Sequence, residues 1–161
     1  MLVNRSRSRH RAAGFTLLEL ITAITVMAIL ATLATPSFQV FVANQRIRNA
    51  SFDLMATLSL VRSQAITLNS SVDLQRTGSS WDGGWKVTDG TNTFQLQQAY
   101  KNLSITDSGS LATITYGRDG RAVTAVTQFT IAPSVAISGV IPRCVSLGLS
   151  GVPSSRKGAC S

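Results

Sequence analysis

The residue most out of keeping with its neighbours is Glu19, a carboxylate within an apolar run that extends almost unbroken from Phe15 to Ala43. An ionisable group inside a bilayer costs about 2.5–3.5 kcal/mol near a helix centre on insertion scales, and less near an end, so it calls for a partner. Cutting the chain between Gly14 and Phe15 would create one, an α-amino group four residues from Glu19. Positions i and i+4 share a helix face, so ammonium and carboxylate could pair within one chain or between neighbours and set the register of stacked helices.

Other reactive chemistry is scarce. His10 is the only histidine and precedes the apolar run, while Asp53, Asp73, Asp82, Asp89, Asp107 and Asp119 are dispersed, mostly at turns. They form no acid–base pair and no nucleophile–base set. The segment from Asp89 to Asn92 lacks the further oxygen ligands of a calcium loop, and no glycine loop with its lysine could cradle a phosphate chain. A non-enzyme, without cofactor or metal, is expected.

The elements that would place Glu19 follow from charge and length. Arg5, Arg7, Arg9 and Arg11 precede the run, and without them eleven basic residues face seven acidic ones, so the net charge falls from +8 to +4. The basic excess therefore reads first as an orientation signal for an apolar helix, ahead of a nucleic-acid-binding arm. A secretory signal, cut near Ala34, would have a core of only about 7–15 apolar residues. At about 1.5 Å per residue this run exceeds the roughly 30 Å hydrocarbon thickness, which fits a permanent single-pass anchor. The 161-residue chain then has room for one modest domain beyond it.

Past the run, Ile47, Ser51, Leu54, Leu58, Val61, Ala65 and Leu68 recur at steps of four and three, the stripe of an amphipathic helix lying on a core. Arg46, Arg48, Asp53 and Arg62 fall largely off it. One helix from about Phe15 to Leu68 is predicted, bent or locally melted near Ala34 and Thr35 by Pro36 and ended by the polar residues 69–71. Strands are predicted at 72–76, 85–88, 93–97, 111–116, 128–133, 135–140 and 143–148, where alternating or β-branched residues lie between turn signals. An antiparallel sheet against the helix gives an α+β head. Trp81 and Trp85 read as core and hairpin packing rather than a ligand platform.

The stretch "GFTLLEL" followed by a long apolar helix resembles the class III signal of type IV prepilins and type II secretion pseudopilins. The blocks "LVRSQAITLNSSVDL" (60–74), "WDGGWKVTDG" (81–90) and "YGRDGRA" (116–122) resemble the FimT/GspH group of minor pilins and pseudopilins. The resemblance implies a pilin fold with a leader at 1–14, a transmembrane or filament-core half-helix at 15–43 and a periplasmic head at 44–161. That head comprises an amphipathic helix at 44–68, a β-rich part at 72–148 and a closed tail at 144–160. It also implies that prepilin peptidase cuts after Gly14 and N-methylates Phe15, and that Glu19 serves in assembly. The implied partners are other minor pilins, the major pilin and the inner-membrane assembly platform. The implied role is that of a minor pilin of the FimT/FimU kind in a tip complex that primes pilus assembly. The alternatives are a GspH-like pseudopilin of a type II secretion system and a pilus-tip DNA receptor.

Export across an inner membrane would place the head in an oxidising periplasm, where Cys144 and Cys160 are expected to form a disulfide worth around 3 kcal/mol. Two cysteines without a histidine in the processed chain cannot complete a structural zinc site. Relatives associated with DNA uptake carry a Gly-Arg-x-Arg element in the tail; this chain has "SGVPSSRKG" there, without arginine between Gly151 and Ser154. Arg143, Arg156 and Lys157 still make a small basic cluster able to touch phosphates of DNA or another anion without reading sequence, though a solvated patch is the plainer reading.

Overall fold

Strong helix formers, chiefly Ala and Leu, recur throughout the chain from Leu17 onward. In the computed structural model, which describes residues 15–123 and 127–161, they form a single helix, α1, Leu17–Leu68. Thr16 starts it: its Oγ1 accepts the Glu19 backbone N–H at 3.2 Å, the first arm of a Thr-x-x-Glu capping pattern. Asn69 stops it by adopting φ 49°. The N–H groups of Asn69 and Ser70 then close on the carbonyls of Ile66 and Ala65, both at 3.2 Å, in a Schellman arrangement. Helical structure runs unbroken through Pro36, so the local melting expected at Ala34 and Thr35 does not occur. Proline removes only its own N–H from the ladder, and the helical residues on either side retain theirs.

Two compact units divide between Ser37 and Phe38. In the first unit Leu17, Leu18, Ile24, Met27, Leu30 and Leu33 are all exposed. Its helix is long and apolar enough to cross a membrane, with a mean hydropathy of 2.2 over the most apolar window.

In the second unit the stripe is buried at Ile47, Ser51, Leu54, Leu58, Val61 and Ala65, and Ala43, Ala50 and Thr57 widen it. Leu68, the last residue before the turn, is exposed instead. Each fully buried leucine or valine contributes about 1.5–3 kcal/mol. The strands that cover the stripe are β1 (Val72–Arg76), β2 (Trp85–Thr88), β3 (Thr93–Gln97), β4 (Leu103–Asp107), β5 (Thr113–Tyr116), β6 (Thr127–Pro133), β7 (Arg143–Leu147) and β8 (Pro153–Lys157). They form two four-stranded sheets rather than the single sheet expected, in the orders β3-β2-β1-β5 and β4-β6-β7-β8, with every pair antiparallel. Register explains which residues face inward: Leu74 lies between Val87 and Ile114 in the first sheet, and Ile131 beside Ile105 in the second.

Both sheets and the helix share one core. The two tryptophans occupy its middle, as core packing requires. Trp81, in a single 3-10 turn at Trp81–Gly83, meets the ring of Phe129 edge-on at 5.2 Å and donates from Nε1 to the Leu111 carbonyl at 3.1 Å. Trp85 donates from Nε1 to Thr57 Oγ1 at 3.2 Å, tying β2 to α1.

Segment 135–140 is not a strand. It lies between Pro133 and Pro142, folds into a turn closed by Val140 N–H on the Ile137 carbonyl at 3.1 Å, and leaves Val135 74% exposed. Isolated apolar alternation without a neighbouring strand to bond has nothing to hold it extended.

Candidate functional site

At the helix start, Phe15 is 85% exposed and Glu19 is exposed beside it. Every threonine from 16 to 35 has an internal hydrogen-bond partner. Thr16 caps the helix, and the hydroxyls of Thr22, Thr25, Thr32 and Thr35 donate to the carbonyls of Glu19, Ile21, Ile29 and Ala31 at 2.7–2.9 Å. Such back-bonding hides a hydroxyl from hydrocarbon. The Glu19 carboxylate is thus the polar side chain of this stretch that has no partner among the described residues. Gly14, the expected cleavage position, and the basic leader lie outside the described residues.

In the tail, Cys144 on β7 and Cys160 are bonded, with S–S 2.06 Å and Cα atoms 5.0 Å apart. The Cys160 N–H also donates to Thr130 Oγ1 on β6 at 3.1 Å. The β7–β8 register places Arg143 directly opposite Lys157 and Cys144 opposite Arg156. Because side chains alternate along a strand, Arg156 points to the other face from Lys157. There its Nη2 donates to Ser161 Oγ at 3.0 Å. The structure therefore brings together two of the three cations read from the sequence and supplies a third from the helix. Asn44, Arg48, Ile141, Arg143 and Lys157 line a cleft of about 230 Å³.

Elsewhere the titratable groups serve the fold. Asp89 accepts from Asn92 N–H at 2.6 Å, from the Asn92 amide at 3.1 Å and from Thr91 N–H at 2.8 Å, and these bonds hold its carboxyl below the usual range. Tyr100 donates to Asp53 Oδ2 at 2.8 Å; burial first, then that carboxylate, push its phenol well above the usual value.

The profile of the family described as type II transport protein GspH matches residues 50–151. This chain belongs to the GspH family. The prokaryotic N-terminal methylation motif matches residues 9–35, spanning the Gly14–Phe15 junction and Glu19. Among solved structures, the GspH-family fold seen here is similar to the type IV minor pilin FimU of Pseudomonas aeruginosa. That match has 18% identity and TM-score 0.62, over 72% of this chain and 92% of that one. It is also similar to the minor pseudopilin EpsH of the type 2 secretion system of Vibrio cholerae, with 12% identity and TM-score 0.53, over 71% of this chain and 97% of that one. Among curated protein sequences nothing matches it. The α+β pilin fold is thus established, and with it a type IV pilin-like protein.

Arg48, which the sequence shows only as a residue off the apolar stripe of this GspH-family helix, is the third cation of the cleft. A signal was present, since Asn44 and Arg48 at i and i+4 share one helix face. What the sequence did not contain was the pairing of β7 with β8 that brings Arg143 and Lys157 to that face. The disulfide anchors this arrangement. Cys160→Ser is expected to lower head stability by about 3 kcal/mol in denaturant titrations of the oxidised protein. The difference should vanish when both proteins are measured in reductant.

Proposed function

We propose that this chain is a minor type IV pilin of the FimT/FimU kind, a structural subunit and not an enzyme. In this reading prepilin peptidase cuts after Gly14, Phe15 becomes the N-methylated terminus, and the helix from Phe15 holds the protein in the inner membrane with its head in the periplasm. The subunit then joins other minor pilins in a complex at the tip of a pilus, where it primes pilus assembly and supports twitching, adhesion or DNA uptake. The observation that carries the reading is the Glu19 carboxylate, exposed and without a partner among the described residues, on an apolar stretch whose threonines from 16 to 35 are all internally bonded, in a chain that matches the methylation motif. A free amine at Phe15, on this chain or its neighbour, supplies the missing counter-charge one helical turn away.

Glu19→Ala tests this. Cleavage of the leader should proceed as in the unaltered protein, while the amount recovered in sheared filaments should fall at least tenfold. Normal incorporation of the variant would refute the pairing.

A second reading, a GspH-like pseudopilin of a type II secretion system, is supported by the family itself and by the likeness to EpsH. Deleting the gene separates the two: loss of twitching with normal exoprotein secretion favours the pilus, and the converse favours the secretion system. A pilus-tip DNA receptor is the third reading, and it has less support. Arg156 is turned away from Arg143 and Lys157, and the tail lacks the paired arginines of the DNA-uptake relatives.

A further inference from the structure

We propose that the cleft between α1 and the β7–β8 hairpin is a binding site for a single phosphate group, held by Arg48, Arg143, Lys157 and the Asn44 amide. Its support is independent of which filament the subunit serves.

Arg143 and Lys157 stand directly opposite each other on adjacent strands, a like-charge pairing that destabilises a sheet. Positive residues on an edge strand such as β8 guard against strand addition. That explains Lys157 but leaves unexplained Arg143 on the inner strand β7 and Arg48 on the helix, both lining the same cleft. No acid lies among the lining residues to compensate. The aspartates of the head are engaged elsewhere. Asp53 bonds Tyr100, Asp73 bonds Thr115 and Asp82 bonds Ile105 N–H, while Asp89, Asp107 and Asp119 bond backbone N–H groups of their own turns. A concentration of charge that the fold leaves uncompensated marks a place where an external counter-charge belongs.

The donors are also held in place. Arg143 Nε and Nη2 both donate to Ser155 Oγ at 3.3 Å, and Ser155 is fixed in turn by Ser51, 1% exposed on α1, at 2.9 Å. These bonds leave Nη1 and the second Nη2 hydrogen for a ligand. Asn44 Oδ1 accepts Ile141 N–H at 3.1 Å, which leaves its amide NH₂ as a donor to the cleft. Three cations and an amide converge at least four donors on one small cleft, which suits the several charged oxygens of a phosphate. The volume of about 230 Å³ admits one such group with Ile141 as an apolar wall. The group could be a free phosphate or the headgroup of a phospholipid, since the recognition chemistry is the same.

The test uses the full processed chain in micelles of an uncharged detergent, titrated calorimetrically at fixed ionic strength. The probes are inorganic phosphate and dihexanoyl phosphatidylglycerol below its micelle concentration. At least one probe should bind, and Arg48→Gln and Lys157→Gln should each weaken it about tenfold. Arg156→Gln, on the opposite face, should leave it unchanged. Tighter binding of the lipid would assign the headgroup, and tighter binding of inorganic phosphate the free anion; both support the site. Failure of both probes to bind would overturn it, as would an equal loss in Arg156→Gln, which would mean attraction to general surface charge. Duplex DNA that binds where neither probe does, and survives Arg48→Gln and Lys157→Gln, would overturn it in favour of a nucleic-acid surface elsewhere.

Discussion

Trp81→Ala is expected to destabilise the head by about 3–5 kcal/mol, the range for deleting a large aromatic side chain from a core that cannot fully collapse. Trp81 is completely buried and joins three parts of the fold. Its backbone belongs to the turn between β1 and β2 of the first sheet, its ring packs edge-on against Phe129 of the second, and its Nε1 bonds the Leu111 carbonyl ahead of β5. Removing it opens a cavity between the sheets and leaves that carbonyl without its donor. The fall should appear as a lower denaturant midpoint by far-ultraviolet circular dichroism. Trp81→Phe keeps most of the volume and should recover more than half of the loss. A midpoint unchanged by Trp81→Ala would mean that the two sheets do not depend on this contact.

Gly151→Ala is also expected to destabilise the head, by about 2 kcal/mol or more. Gly151 adopts φ +74°, in the left-handed region, and an added Cβ there would overlap the Gly120 carbonyl oxygen and lie 2.9 Å from Tyr116 Cε1. The neighbour that would have to yield is backbone, so little relief is available. Tyr116 is itself buried and donates to the Gly151 carbonyl at 3.1 Å. Burial pushes its phenol up to about 12, against a smaller opposing pull from the positive charge of Arg62. The unfolded phenol ionises near pH 10, so between about pH 10 and 12 the unfolded chain holds fewer protons than the folded one. The contribution of Tyr116 is therefore complete below pH 10 and lost as pH rises through that window. Tyr116→Phe should flatten this part of the alkaline unfolding profile.

Much of this fold can be read from local pattern. The helix end at Leu68 and strands β1, β2 and β3 coincide with runs whose periodicity and turn residues agree. β4 and β8 escaped notice for different reasons. In β4 the outward residues Ser104 and Thr106, and the acid Asp107 at the strand end, dilute the apolar signal of Leu103 and Ile105. In β8, Pro153 to Lys157 has no apolar alternation, and pairing with β7 and the Cys144–Cys160 bond hold it extended. Tertiary context thus supplied what propensity did not. The same holds for the tail cations. Sequence proximity grouped Arg156 with Lys157, whereas strand alternation separates them and cross-strand pairing gathers Arg143, Lys157 and Arg48. Glu19 was legible because an acid in an apolar run is conspicuous in any context.

The measurement that bears most directly on the reading of this chain as a processed pilin is intact mass with N-terminal fragmentation of the protein isolated from its native membrane. A terminus at N-methylated Phe15 is predicted. A terminus near Thr35, or an uncut chain beginning at Met1, would contradict it, because Glu19 would then have been removed or have no new amine one turn away.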